Sequence, residues 1–140
     1  MAYGKHRVSI IAFYDTDNKI LLEKRRISKL GEEWGFFGGN LKNGETITDA
    51  LRREIMEELN YSLANYHYFN TYSLDVKPEG AASDVRAIEH LFVGEFPGFD
   101  KICVREALGA ALFTFDQARA LKLMPHHYSH IDELERYFTK

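Results

Sequence analysis

The distribution of apolar positions along the chain predicts five β-strands. Two apolar runs rich in β-forming residues, Val8 to Tyr14 and Lys19 to Lys24, flank the turn-like segment DTDN. Two longer runs, Tyr66 to Val76 and Ala87 to Phe96, are separated by a segment that contains proline and glycine, which indicates a loop. A fifth, short strand is expected from Ala111 to Phe115.

A helical period replaces the strand pattern after Thr46, which is a candidate N-cap. At about 100° per residue, one apolar stripe of this helix should face the sheet: Ile47, Leu51, Ile55 and Leu59. Asp116 is expected to cap a short helix over Gln117 to Leu121, and a last amphipathic helix should follow Pro125. The order of elements predicts an α/β fold, with helices packed on a mixed sheet.

Size and charge narrow the class of protein. With 140 residues, of which 45% are hydrophobic, we expect a single domain over residues 1–140. The net charge of −3 with interspersed signs disfavours a nucleic-acid polymer as partner, whereas a small phosphorylated ligand needs only a few cations.

Cysteine usage and the lack of long apolar runs favour a cytoplasmic location. Cys103, the only cysteine, excludes an internal disulfide and is expected to be a packing residue. No stretch approaches the ~18 apolar residues of a membrane span, and the first residues show no cleavage pattern, so no membrane contact is expected.

Three carboxylates on the helix after Thr46 predict a cation site. At about 100° per residue, the angle of each carboxylate around the helix axis can be calculated. Glu58 is expected about 40°, Glu54 about 80° and Glu57 about 140° from the centre of the apolar stripe. At least two of them should therefore border the buried surface, where like charges repel more strongly than in water. A hard divalent cation such as Mg²⁺, which prefers oxygen ligands, would relieve this repulsion. The alternative for an isolated E-x-x-E-E is a solvated acidic face.

The spacing of seven residues around this helix resembles the Nudix box, G-x5-E-x7-R-E-U-x-E-E-x-G-U with U apolar. The matching positions are Gly39, Glu45, Arg53, Glu54, Ile55, Glu57 and Glu58. Asn60 stands where glycine is usual, and Asn is the best substitute for glycine where a helix ends in the left-handed conformation. Tyr61 takes the last apolar position.

The resemblance implies the Nudix fold, a mixed sheet between helices (α/β/α), and Mg²⁺-dependent hydrolysis of a pyrophosphate bond, with Mn²⁺ as an alternative ion. In this family Arg53 would pair with Glu45 and fix the loop to the helix. Glu54, Glu57 and Glu58 would be the main metal ligands, the carbonyl of Gly38 can complete the site, and Gly39 belongs to its frame.

The flanking segments are similar to the MutT-type branch of the family. Arg25, in KILLEKRR, falls on an arginine that helps to hold the nucleotide base; the alternative is a solvated strand end. Glu106 falls on an additional loop carboxylate, a candidate metal ligand or base, although Ala107 replaces the usual glycine. Glu54 is the other candidate base, and Glu95 and Asp100 are alternatives to Glu106.

Two substitutions in the branch's substrate pocket leave the base unspecified. His127 falls near the position of an asparagine that reads the base in this branch. An imidazole cannot replace the hydrogen bonds of an amide, so selectivity for 8-oxo-guanine does not carry over to this chain. Phe37 replaces a proline that often precedes the glycine pair, and its ring is expected to shape the base pocket.

Histidines and aromatic residues near these positions have simpler interpretations. A helix start rich in histidine is typical of polar surface rather than of a zinc site, which applies to His126, His127 and His130. Phe36, Phe69 and Tyr72 could stack on a base, but alternating aromatic residues are usually buried by a sheet.

The sequence thus predicts a hydrolase of a nucleoside diphosphate linked to another group, with a preference for (d)NTPs. ADP-ribose, nucleotide sugars and dinucleoside polyphosphates are alternative substrates. Rival functions are a non-catalytic nucleotide-binding domain, an isopentenyl diphosphate isomerase, which needs a catalytic cysteine, and an RNA decapping enzyme, which the lack of a basic track disfavours. A monomer and a homodimer are both compatible with the sequence.

Overall fold

The computed structural model describes residues 5–28, 30–77, 80 and 82–139. In chain order the strands and helices are β1 Lys5–Tyr14, β2 Ile20–Lys24, β3 Trp34–Gly35, β4 Phe37–Asn40, α1 Ile47–Leu59, β5 Tyr66–Val76, β6 Val85–Glu95, β7 Gly109–Phe113, α2 Phe115–Arg119 and α3 His127–Phe138. A 3-10 turn covers Phe99–Lys101. None of the helices in these ranges has the length and apolar character needed to cross a membrane.

All strands belong to one mixed sheet. Its order is β3-β2-β1-β6-β5, with β4 pairing with β1 and β7 pairing with β2. Strands β1 and β6 are parallel over their full length, from the pair Lys5 and Arg86 to the pair Tyr14 and Glu95. The other pairs are antiparallel. The expected mixed sheet is therefore confirmed.

Helices cover both faces of the sheet, and β1 is therefore buried on both sides. Ile10 and Ala12 pack in one core with residues of α2 and α3, whereas Ile11 and Phe13 pack in a second core with residues of α1. Successive side chains of a strand point to opposite faces, so each core receives alternate residues of β1. The α/β/α arrangement is confirmed.

Helix α1 begins and ends at the predicted residues. Thr46 Oγ1 accepts a hydrogen bond from the backbone N–H of Asp49 at 3.1 Å, and the Asp49 carboxylate accepts one from the Thr46 N–H. Asn60 ends the helix with φ 51° and ψ 41°, in the left-handed region that Asn tolerates better than most residues. The helix is thus fixed at both ends by local sequence signals.

Two predictions for the C-terminal half were wrong. Helix α2 is capped by Thr114, two residues before Asp116, because Thr114 and Gln117 form a reciprocal capping box. Cys103 is exposed and is not a packing residue. The strands β3 and β4 were not predicted, since runs of two and four residues are too short to show a period.

Candidate active site

The glycine pair on β4 lets two backbones and a carboxylate approach one another closely. Gly38 has φ 142°, and a Cβ atom there would overlap the carbonyl oxygen of Ser9 on β1. A Cβ atom on Gly39 would lie 2.6 Å from both carboxylate oxygens of Glu54. Side chains at either position would therefore separate β4 from its neighbours.

The three carboxylates of α1 differ in burial as the helical period predicts. Glu58 is 8% exposed, and its Oε1 accepts a hydrogen bond of 3.0 Å from the backbone N–H of Gly38. Glu54 is partly buried and Glu57 is exposed. The prediction that at least two of the three border the buried surface is confirmed.

Arg53 joins the loop before α1 to the carboxylates on it. Its Nε and Nη2 donate to the two oxygens of Glu45 at 2.7 and 2.9 Å, and Nη2 also donates to the carbonyl of Asn40 at 2.9 Å. Nη1 donates to Glu54 at 2.9 Å and to Glu57 at 3.1 Å. The expected pairing with Glu45 is confirmed, and this pair lowers the pKa of the Glu45 carboxyl to about 2.

Carboxylates from two other segments meet Glu58 in a cleft of about 320 Å³. Glu23, on β2, and Glu106, in the segment before β7, line this cleft together with Glu58. Arg26 also lines it, and its Nε donates to the carbonyl oxygen of Glu106 at 3.2 Å. The position of Glu106 is consistent with the role that the sequence suggested.

Neither alternative to Glu106 lines this cleft in the described part of the chain. Glu95 is exposed at the end of β6, and Asp100 is exposed in the 3-10 turn. Glu23, by contrast, is a member of the cluster that sequence reasoning missed. A charged residue inside the apolar run ILLEK, two positions before Arg25, was the available signal.

Burial, together with the nearness of other carboxylates, raises the pKa values of the carboxyl groups in this cluster. Burial, together with nearby Glu23 and Glu54, raises the pKa of Glu58 to about 9. Burial also raises the pKa of Glu23 to about 7, against the opposing effect of Arg25, and it raises the pKa of Glu54. Ionising all of them together requires added positive charge, and an oxygen-only set of this kind suits a hard divalent cation.

A second pocket of about 170 Å³ adjoins the carboxylate cleft, since Arg25 and Ile27 line both. Its apolar wall includes Val8, Ile10 and Met124, and its polar wall includes Gly39, Glu89 and His127. Together, the cleft and the pocket offer a charged region next to a largely apolar one. This combination is typical of small-molecule sites.

Arg25 is placed between the two cavities by contacts on both of its sides. Its Nη1 donates to Glu23 at 2.8 Å, and the guanidinium lies so close to Gly35 that a Cβ atom there would overlap it. The side chain is 22% exposed, so the alternative of a fully solvated strand end does not describe it.

Phe37 does not shape the substrate pocket, in contrast to the prediction. Its ring has no exposed surface and packs in the core with residues of α1, such as Leu51 and Ile55. The adjacent Phe36 is also buried, in the other core. Burial of Phe36 by the sheet agrees with the expectation for aromatic residues of a strand. Residues 37–40 form a strand whose first residue faces α1, which is why the ring of Phe37 lies in the core.

The interpretation of the histidine cluster as polar surface was also wrong. His127 and His130 are each 1% exposed, and both contact Glu89, a buried carboxylate on β6 that the sequence reading missed. Tyr72 stacks on His130, with ring centroids 3.9 Å apart. Phe69 is partly buried and packs edge-on against Tyr137, with ring centroids 5.3 Å apart. Neither Phe69 nor Tyr72 is among the described residues that line the cleft or the second pocket.

Comparison with known proteins agrees with this arrangement. The family model described as the NUDIX domain matches residues 4–134. An 8-oxo-dGTP diphosphatase from Buchnera aphidicola subsp. Schizaphis graminum (strain Sg) is 32% identical over 66 residues, which are 46% of this chain and 51% of that protein. This chain therefore spans about half the length of that relative.

Solved structures show the same fold at low sequence identity. The MutT protein from Methanosarcina mazei Go1 superposes with a TM-score of 0.79 at 12% identity, covering 100% of this chain and 99% of that one. The E. coli dihydroneopterin triphosphate pyrophosphohydrolase gives a TM-score of 0.74 at 19% identity, covering 91% of this chain and 92% of that one. These likenesses concern the fold alone.

Proposed function

Because this chain belongs to the Nudix family, we propose that it hydrolyses a pyrophosphate bond in a nucleotide, with Mg²⁺ as the cofactor and nucleoside triphosphates as the substrate class. The observation that carries this proposal is the cluster of Glu54, Glu58 and Glu106 beside the backbone of Gly38, at the junction of the two cavities.

The donor set fits a hard divalent cation. Glu54, Glu57, Glu58 and Glu106 would hold Mg²⁺, or Mn²⁺ in its place, together with the carbonyl of Gly38. All of these donors are oxygen atoms, which suit a hard cation. Burial and the neighbouring carboxylates Glu23 and Glu54 raise the pKa of Glu58 to about 9, and a bound cation would oppose this rise. Glu57 is exposed to solvent, and its carboxylate accepts a hydrogen bond from Nη1 of Arg53.

The chain's own residues would bind the phosphates and accept the proton. Bound Mg²⁺ would neutralise phosphate charge and lower the pKa of a water molecule. Glu54 or Glu106 would take the proton of the attacking water, since both belong to the carboxylate cluster. Arg25 and Arg26 line the same cleft and provide positive charge for phosphate oxygens.

The adjoining pocket would hold the base. Arg25 lies where a base and its phosphates would meet, and the apolar side chains of Val8 and Met124 would contact a planar ring. His127 lines this pocket, but its Nε2 is in contact with Glu89 at 3.2 Å. Because Nε2 of His127 already contacts Glu89, this nitrogen is not free to select a base. 8-oxo-dGTP, the substrate named for the Buchnera relative, is therefore one of several substrates to test.

A substrate panel with and without Mg²⁺ tests the proposal. The panel contains (d)NTPs, 8-oxo-dGTP, ADP-ribose, nucleotide sugars and dinucleoside polyphosphates, and products are identified by mass. We expect Mg²⁺-dependent cleavage between phosphates, strongest with a triphosphate. Preference for ADP-ribose or a nucleotide sugar would overturn the substrate class but keep the reaction.

Two variants connect activity to the carboxylate cluster. Glu58→Gln removes the charge at nearly constant volume and should lose Mg²⁺-dependent turnover while still folding. Glu33→Gln alters an exposed carboxylate whose partner is Lys24, at 3.8 Å, and should keep full activity. Nucleotide binding without turnover in the unmodified protein would instead support the rival function, a non-catalytic nucleotide-binding domain.

The isomerase rival has no support from the position of its required cysteine. Cys103, the only cysteine of the chain, is exposed and is not among the described residues that line the carboxylate cleft.

A further inference from the structure

A buried carboxylate on β6 is surrounded by three imidazoles from the start of α3. Glu89 is 5% exposed, and its Oε2 lies 3.0 Å from His126 Nε2 and 3.2 Å from His127 Nε2. Its Oε1 lies 2.9 Å from His130 Nε2. His127 and His130 are each 1% exposed, whereas His126 is partly buried. Glu89 and His127 also line the pocket beside the carboxylate cleft, but none of the four residues lines the cleft itself.

The ligand atoms of this group are close enough together to share one metal ion. One oxygen of Glu89 and one nitrogen each of His127 and His130 lie within 4.8 Å of one another. With zinc–ligand bonds of about 2.0–2.2 Å, tetrahedral ligand atoms are about 3.3–3.6 Å apart. The nitrogens of His126 and His127 lie 3.0 and 3.2 Å from Oε2 of Glu89, a few tenths of an ångström less than this, while that of His130 lies 2.9 Å from the other oxygen, Oε1. Binding of one ion would therefore require small shifts of these side chains.

The three rings also have the mutual separation that a shared metal would require. The ring centroids of His126 and His127 are 4.5 Å apart, those of His127 and His130 are 5.1 Å apart, and those of His126 and His130 are 5.7 Å apart. Imidazoles bound through Nε2 to one tetrahedral ion would have centroids about 5 Å apart. Phe36 packs edge-on against His127, and Tyr72 stacks on His130. Aromatic neighbours therefore hold two of the rings in a convergent orientation without any metal.

Charge gives a physical reason for a cation at this place. Glu89 is buried, and imidazole nitrogens of His126, His127 and His130 lie within 3.2 Å of its two carboxylate oxygens. An ionised carboxylate in the interior is costly unless it is paired or coordinates a metal. A dication bound between Glu89 and the rings would pair with this carboxylate.

We propose that Glu89, His127 and His130 bind Zn²⁺, with His126 as the fourth ligand at the rim. Imidazole-rich sets favour zinc over Mg²⁺, which prefers oxygen donors, so this site and the carboxylate cluster would select different ions. His126 and Glu89 line a cavity of about 140 Å³, which gives the ion a path of entry. The bound ion would join α3 to β6, and this inference does not depend on the proposed hydrolysis.

The affinity should be lower than that of a zinc site with a complete outer shell. Metal-binding histidines usually donate their second ring nitrogen to a partner, and losing that partner costs about 10–100-fold in affinity. In the described part of the chain the Nδ1 atoms of His127 and His130 are buried without one. Zinc should therefore bind reversibly and be removable by a chelator.

Zinc titration of the chelator-treated full chain tests the proposal. Calorimetry with zinc chloride in excess Mg²⁺ should show stoichiometric binding, and Glu58→Gln should leave it unchanged, since that variant disables only the carboxylate cluster. His130→Gln should weaken zinc binding at least ~100-fold, as expected for loss of a ligand rather than of an outer partner. His67→Gln is the matched control, because His67 is exposed on β5.

Two further measurements keep the test decisive if His130→Gln folds poorly. Glu89→Gln keeps the shape of the side chain and should also weaken zinc binding, with folding checked by circular dichroism. Cobalt added to the unmodified chain should give the intense visible bands of a four-coordinate ion with nitrogen ligands. Absence of zinc binding, binding that His130→Gln and Glu89→Gln leave unchanged, or a six-coordinate cobalt spectrum would each overturn the proposal.

Discussion

Gly39 and Glu54 are so close that a side chain on Gly39 would occupy the space of the Glu54 carboxylate. A Cβ atom at position 39 would lie 2.6 Å from each of the two oxygens of Glu54. The backbone of Gly39 is not in the left-handed region, so glycine is required here for space and not for its conformational freedom. The position of a proposed metal ligand thus depends on a missing methyl group on the neighbouring strand.

Gly39→Ala should therefore reduce activity more than stability. The added methyl group would displace the Glu54 carboxylate by about an ångström, and a misplacement of that size can cost about 100-fold in rate. We expect a fall of this order in kcat/KM at saturating Mg²⁺, with a cooperative thermal transition retained. Gly109→Ala is the control, because its Cβ atom would meet nothing within 4 Å. Equal activity of the two variants would contradict the argument.

Arg53→Lys should show whether activity depends on the hydrogen bonds of Arg53 or only on its positive charge. Lysine keeps the positive charge but cannot donate at once to both oxygens of Glu45, to the carbonyl of Asn40 and to Glu54, as Arg53 does. We expect kcat/KM to fall about 10–100-fold, because the loop and the helix lose their fixed relation. Steady-state kinetics at several Mg²⁺ concentrations provides the measurement.

Arg52→Lys is the matched control for this prediction. Arg52 is the adjacent residue of α1, is exposed, and lies over the ring of Tyr66 rather than in the carboxylate cluster. Its replacement should leave kcat/KM within about a factor of two, since exposed substitutions away from special contacts have small effects. A comparable loss in both variants would show that a general change in the helix, and not the contacts of Arg53, is responsible.

The part of the site that could be predicted from the sequence is the part built by local spacing. Within α1, the period of the helix places Glu54 and Glu58 beside the buried face, and the caps at Thr46 and Asn60 fix its ends. These relations involve residues a few positions apart on one element. Such relations follow from the helical period and the caps alone, so they could be predicted without knowing how distant segments pack.

The parts that could not be predicted depend on contacts between distant segments. Glu23 and Glu89 are charged residues inside apolar strands, and only the pairing of those strands shows what each one faces. His127 and His130 appear polar in sequence but are buried, because α3 packs this turn onto Glu89 of β6. Phe37 faces α1 because residues 37–40 form a strand, a pairing that four residues cannot signal.

Asn60 provides a test of the one departure from the motif. Its φ of 51° is costly for residues other than Gly, Asn and Asp, so Asn60→Ala should reduce the free energy of unfolding by about 1 kcal/mol. Asn60→Gly should lie close to the unmodified protein, because glycine adopts this conformation without strain. Urea denaturation of the three proteins provides the comparison. An equal loss for glycine and alanine would contradict the argument, since it would show that the Asn side chain, and not the left-handed backbone, is important.

Glu58 should make the stability of the metal-free protein depend on pH. Burial raises its pKa to about 9 in the folded chain, above the ordinary value of 4.5 for a glutamate carboxyl, so the folded state binds the proton more tightly than the unfolded state. Stability from this group is fully present below about pH 4.5 and is lost as the pH rises toward about 9. With EDTA present, urea denaturation should show a loss of a few kcal/mol across this window, an order-of-magnitude figure from linkage.

Removing the charge or adding the cation should reverse this loss. Position 58 cannot ionise in Glu58→Gln, so the stability of this variant should vary less between pH 5 and pH 9, and the variant should be more stable than the unmodified protein at the alkaline end. The raised pKa of Glu23, about 7, accounts for a remaining pH dependence. Mg²⁺ should stabilise the unmodified protein increasingly as the pH rises, because deprotonated carboxylates are the form that binds the ion. A metal-free protein whose stability does not fall between pH 5 and pH 9 would show that Glu58 finds its positive partner within the chain.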